Sequence, residues 1–187
     1  IELIHYLQDS DKENFYKNIA NLEKRFSDHV AFKNLAAEIK NQAERSKPLA
    51  IGQMAPEITM NDVEGKPFSL SQLKGQYVLV DFWASWCGPC KGEIPYLKEA
   101  YTRFHDKGFR ILSVSLDDKR DAWMNALHTF QMPWPQVSDV NGFHSVVNEL
   151  YPIPSIPKTL LLDPEGKIIA TDLRGHALDQ RLEQLLK

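Results

Sequence analysis

The stretch "YVLVDFWASWCGPC", Tyr77–Cys90, decides how this chain is read. Its first half is a run of β-branched and aromatic residues typical of a strand buried on both faces. Its second half turns to small residues, a Gly-Pro pair and the chain's only two cysteines, Cys87 and Cys90, at the start of an expected helix. Cysteines at i and i+3 in a first helical turn lie on one side of it, close enough to bridge. The helix N-terminus offers them free N–H groups and a partial positive charge that favours a thiolate. Cys87, where the strand run ends, is expected to carry the exposed sulfur with a lowered pKa, and Cys90, one turn inside, the shielded one. Attack then falls to Cys87 and resolution to Cys90. Pro89 loses no helical hydrogen bond in a first turn, and Gly88 keeps bulk away from an approaching disulfide.

Other uses of such a pair fit less well. A zinc site needs two more ligands of the right spacing, yet there is no further cysteine and the six histidines are scattered. Covalent haem attachment needs a histidine directly after Cys90, where Lys91 stands. A purely structural disulfide closing so short a loop gains little chain entropy. Composition narrows the partners only slightly. With 187 residues, 43% hydrophobic, and a net charge of −3 with both signs dispersed, the chain can bury one ordinary core and has no basic stripe for nucleic acid. No apolar run is long enough to span a membrane, and the sequence starts at Ile1; an export signal or lipid anchor is expected to have been removed ahead of it.

Outward from the dithiol, the sequence alternates strands and helices. Upstream, "EITMND" and "GKPFSL" flank Val63-Glu64-Gly65 as a hairpin. Downstream the pattern gives a helix from about Cys87 to Lys107, the buried strand "FRILSVSL", a helix from about Asp121 to Phe130, and a loop through Pro133, Trp134 and Pro135. A short helix near Phe143–Leu150 follows, then "YPIPSIP", the strands "KTLLLD" and "KIIATDLRG" joined by a "PEG" turn, and a closing helix around Leu178–Leu186. This order argues for a mixed α/β sheet covered on both faces. Residues 1–50 differ: Phe15, Ile19, Leu22 and Phe26, then Phe32, Leu35, Ile39 and Ala43, form two apolar stripes at helical spacing, ended near Lys47 by Pro48.

With these residues in view, the chain resembles thioredoxin. The match runs from Asp81, six residues before Cys87, through Trp83 and Trp86 to the Gly88-Pro89 pair, and includes Pro95 inside the following helix. The segment "SIPKTLLLDPEGKI" is similar to the thioredoxin segment whose Ile-Pro bond is cis and faces the dithiol, which makes Pro157 the expected cis proline. The residues alone favour a rigid loop through Pro152, Pro154 and Pro157, because only about one X-Pro bond in twenty is cis. The 40 residues between Leu116 and Pro157, together with the hairpin ahead of the strand, resemble the TlpA and ResA thiol-disulfide oxidoreductases, a branch related to AhpC/TSA proteins. Peroxiredoxin itself is disfavoured, because its peroxide pocket needs a proline and a threonine where this chain has Val80 and Ala84.

The resemblance implies a thioredoxin-like α/β domain over residues 51–187, with a central insertion, preceded by an N-terminal helical extension over residues 1–50. It implies thiol-disulfide exchange through a redox-active Cys87–Cys90 pair, with Trp86, Gly88, Pro89, Ile156 and Pro157 meeting the substrate. Asp81, which otherwise reads as a hydrogen-bonded structural acid, becomes the buried proton acceptor; Glu93, otherwise a solvated helix glutamate, matches an acid of ResA-like proteins. The lysine that thioredoxin carries on the neighbouring strand is replaced by Ser113. No metal or organic cofactor is expected. The expected partners are disulfide-bearing proteins and a membrane-associated thiol donor, in the bacterial periplasm or outer cell envelope. Two alternatives remain at this stage: a thiol peroxidase on the same scaffold, or a binding or chaperone-like module docking through Trp123, Met132, Trp134 and Phe143.

Overall fold

The computed structural model describes residues 49–187, with the isolated positions Val30 and Asn34. The chain divides into two compact units, Ile1–Lys47 and Pro48–Lys187. The expected N-terminal helical extension lies outside the described residues.

A five-stranded sheet organises the second unit. Strand β3 (Tyr77–Trp83) lies at its centre, pairs in parallel with β4 (Phe109–Ser115), and antiparallel with β6 (Lys158–Leu162). The edges are β5 (Gln136–Val137), parallel to β4, and β7 (Ile168–Thr171), antiparallel to β6. Strands β1 (Thr59–Asn61) and β2 (Pro67–Ser69) form the expected hairpin as a separate two-stranded sheet. Four helices complete the unit: α1 (Gly88–Phe104), α2 (Arg120–Phe130), α3 (Val146–Leu150) and α4 (His176–Leu185). The fold is thioredoxin-like α/β.

Strand alternation sets what each face of the sheet carries. In β3, Val78, Val80 and Phe82 enter one apolar cluster with Leu112 and Val114 of β4 and Leu160 and Leu162 of β6. Leu79 enters the opposite one, under Leu97, Ala100 and Phe104 of α1 and Leu178 and Leu182 of α4. By the same period Asp81 and Trp83 lie on the α1 side. The residues in register with Asp81 are Ser113 on β4 and Thr159 on β6, so one polar row crosses an otherwise apolar face.

Three boundaries differ from the sequence reading. β5, directly after the Pro133–Pro135 loop, is not expected from the sequence because it has only two residues. The expected helix near Phe143–Leu150 splits into a 3-10 turn at Gly142–His144 and α3, with Ser145 accepting the Val147 N–H between them. β7 stops at Thr171, where Asp172 adopts a positive φ of 56° and the chain turns toward α4. Pro95 lies inside α1, where its ring removes one helical hydrogen bond.

Candidate active site

Strand β3 delivers the chain to the start of α1, and the loop between them is pinned by a buried acid. Asp117, just beyond β4, accepts hydrogen bonds from the Ser85 amide (3.0 Å), the Ser85 hydroxyl (2.6 Å) and the Ser115 hydroxyl (2.7 Å). Cys87 then serves as N-cap of α1, its Sγ accepting the Cys90 amide at 3.1 Å, with Pro89 in the first turn. Cys87 and Cys90 are bridged, with Cα atoms 5.3 Å apart. Backbone N–H groups at this helix end favour negative charge on sulfur once the bridge is opened.

The expected contrast in exposure between the two sulfurs is corrected by the structure. Cys87 is 4% exposed and Cys90 3%. Both pack in a cluster with Trp83, Ala84 and two residues of α2, Trp123 and Ala126. The outward surface is made instead by Trp86, which is 54% exposed, and by Gly88 and Pro89. Trp86 also meets Phe143 of the insertion, ring centroids 6.1 Å apart.

Beneath α1, Asp81 is 5% exposed. The Ser113 hydroxyl donates to its Oδ2 at 2.9 Å, and the Trp134 indole N–H donates to that same hydroxyl oxygen at 2.9 Å. Burial pushes the Asp81 carboxyl up from 3.8 to about 7; the Ser113 hydrogen bond opposes the rise and the charge of Glu93 adds to it. Glu93 is not simply solvated: its Oε2 accepts the Gly175 amide at 2.8 Å, tying α1 to the loop before α4.

The Ile156–Pro157 peptide bond is cis, and Pro157 is buried. Ile156 packs against the cluster that holds both cysteines, which brings this loop to the dithiol. Arg174 donates to the Pro157 carbonyl at 2.6 Å. The structure brings Cys87, Cys90 and Ile156 into one cluster and puts Asp81 within electrostatic reach of Glu93, while the sequence reading missed the supports: Asp117, Gly175 and Arg174. Asp117 could have been noticed, since an acid directly following a buried strand needs partners. Trp123 and Trp134, read as members of a docking surface, are core residues at 1% and 3% exposure. Among the described residues, no group of three or more His, Cys, Asp or Glu side chains is placed to hold a metal ion.

Residues 51–171 match the model of the AhpC/TSA family. The chain belongs to the AhpC/TSA family. Among curated AhpC/TSA-like relatives, thiol-disulfide oxidoreductase ResA of Bacillus thuringiensis is 31% identical over 143 residues, covering 76% of this chain and 80% of that protein. Among solved structures, the thioredoxin domain of a Bacteroides vulgatus thiol-disulfide oxidoreductase matches with TM-score 0.70 and 42% identity, covering 74% of this chain and 99% of that one. A thiol-disulfide oxidoreductase from Bacteroides fragilis matches with TM-score 0.68 and 36% identity, over 72% of this chain and 100% of that one. These likenesses and the bridged cysteine pair agree on dithiol redox chemistry, and this AhpC/TSA protein is an enzyme of the thiol-disulfide oxidoreductase class.

Proposed function

We propose that the protein reduces disulfides of other proteins outside the cytoplasm, in the bacterial periplasm or outer envelope, with Cys87 as nucleophile and Cys90 as resolving thiol. The observation that carries this reading is the bridged pair at the α1 N-terminus, supported by a buried carboxyl, Asp81, on the α1 side of the sheet that burial lifts to about 7. In the reduced protein, the Cys87 thiolate attacks a partner disulfide, forming a mixed disulfide and expelling one partner thiolate. Cys90 then gives its proton to Asp81 and attacks the Cys87 sulfur. The Cys87–Cys90 bond forms, the mixed disulfide breaks, and the second partner thiolate leaves to take up the proton. The partner gains two electrons and the enzyme is left oxidised, to be restored by a thiol donor.

The roles follow from location. Burial lifts the Asp81 carboxyl to about 7, which suits a base that takes and releases a proton near neutrality. Glu93 supports it electrostatically and holds the Gly175 loop. Trp86, Gly88, Pro89 and the Ile156-Pro157 segment are the surface a partner strand would meet, with the Ile156 backbone able to pair with an extended chain. Residues 1–50 are assigned to a separate helical extension, and residues 51–187 to the catalytic domain. A peroxidase reading is disfavoured by Val80 and Ala84, both fully buried apolar residues.

Insulin serves as a model protein disulfide for the test. The Cys90→Ser variant should accumulate a mixed disulfide with insulin through Cys87, while wild type releases reduced insulin chains and neither turns over peroxide. Trapping through Cys90 in a Cys87→Ser variant at an equal or higher rate would reverse the roles.

A further inference from the structure

The hydrogen-bond chain behind Asp81 has a definite direction. An indole N–H can only donate, so at the Trp134–Ser113 contact the Ser113 oxygen is the acceptor. A serine hydroxyl has one proton, and here its remaining partner is Oδ2 of Asp81. Trp134 and Ser113 are both buried, at 3% and 0% exposure, and Trp134 is further fixed against Tyr101 of α1, ring centroids 5.4 Å apart. The hydroxyl therefore has little freedom to reorient. Oδ2 is thereby engaged by a fixed donor, and among the described residues no donor is bonded to Oδ1, the freer of the two carboxyl oxygens.

We propose that Trp134 and Ser113 are positioning residues of the exchange reaction. The indole N–H aims the Ser113 proton at Oδ2 of Asp81, which leaves Oδ1 to receive the Cys90 proton during resolution. This rests on the reading of Asp81 as the proton acceptor. In that step the Cys90 S–H bond breaks, its proton passes to Oδ1, and the thiolate electron pair forms the bond to Cys87 Sγ as the partner thiolate departs.

The groups around Asp81 define how the device should behave. Its own strand has only apolar neighbours on that face, Leu79 and Trp83. From α1 comes Glu93, and from β4 comes Ser113. From β6 comes Thr159, whose hydroxyl is turned to the Leu173 carbonyl at 3.1 Å. Ser113 is thus the neighbour that stabilises the ionised carboxylate, and Glu93 the one that opposes it. Loss of the aimed hydroxyl should move the titration of Asp81 upward.

The test uses the full chain with Ser113→Ala and Trp134→Phe, each alone and combined with Asp81→Asn. Single-turnover reduction of insulin is followed by stopped flow from pH 5 to 9, and the Asp81 carboxyl carbon is titrated by NMR in the reduced protein. Ser113→Ala should raise both midpoints by about half to one pH unit, and Trp134→Phe should raise them less. Neither change should move the profile further when Asp81→Asn is present. If Asp81→Asn abolishes the inflection but both single variants leave it in place or lower it, the positioning role is overturned and Asp81 remains the base. If Asp81→Asn keeps the wild-type profile, the base assignment fails and the positioning role with it. Should Trp134→Phe lose the native circular dichroism spectrum, Ser113→Ala, which removes one oxygen, carries the same outcomes.

Discussion

Asp81→Asn should gain stability relative to wild type as pH rises from 5 to 8. Folding raises the carboxyl from 3.8 to about 7, because burial disfavours its charged form. Between those values the folded chain binds a proton that the unfolded chain has released, so stability falls with rising pH. The penalty is absent below 3.8, grows through the interval, and is complete above about 7. At about 1.4 kcal/mol for each pH unit, it amounts to about 4 kcal/mol when complete. Asparagine carries no such penalty but brings a buried amide whose N–H groups need acceptors, a cost of about 1–3 kcal/mol that does not vary with pH. The pH-dependent part is therefore the informative quantity. The stability of Asp81→Asn relative to wild type should increase by about 2–3 kcal/mol between pH 5 and pH 8. Urea unfolding of the oxidised proteins, followed by tryptophan fluorescence with matched m-values, measures it. A difference that stays constant across that range would show that Asp81 is ionised on ordinary terms in the folded state and would refute the reasoning.

Two further substitutions test the supports of the site. Asp117→Ala strips three donors at Ser85 and Ser115 of their acceptor and should cost about 3 kcal/mol in urea unfolding, with slower dithiol turnover as the Ser85 loop loosens. Gly175→Ala should cost about 1–3 kcal/mol by the same measurement. The residue adopts φ 51° and ψ −136°, a region that side-chain-bearing residues avoid, and its amide must still reach Glu93. A stability within a few tenths of a kcal/mol of wild type in either case would remove that residue from the site's framework.

What the sequence made legible was mostly local. The strand and helix of Tyr77–Cys90 could be read because β-branched density, the Gly-Pro pair and the cysteine spacing all act over a few residues. Ser113 was reached as a replacement through family resemblance, and the structure places it in register with Asp81. The cis bond at Pro157 was reached through family resemblance, not through the residues, which by themselves favour a rigid loop. The supports were opaque for a physical reason. Trp134 reaches Ser113 across 21 positions through a proline-bounded loop, and Gly175 reaches Glu93 across 82. No periodicity or spacing encodes such contacts. The shielding of Cys87 was missed for the same reason, since Trp123 and Ala126 arrive from α2, more than 30 positions downstream.

Ser113, where the thioredoxin resemblance implies a lysine, gives the site its particular electrostatics. A cation beside a buried carboxylate would hold it ionised and low, able to accept a proton only weakly at neutral pH. A hydroxyl fixed by an indole supplies one hydrogen bond and no charge, so it offsets only part of the desolvation that lifts Asp81 to about 7. Glu93 adds to the lift while its own carboxylate is engaged by a backbone amide. In the proposed mechanism the two acids do different work: Asp81 exchanges the proton, and Glu93 raises its pKa and braces the loop before α4. A base poised near the operating pH combines a usable ionised fraction with enough basicity to deprotonate a shielded thiol, and resolution by Cys90 requires both.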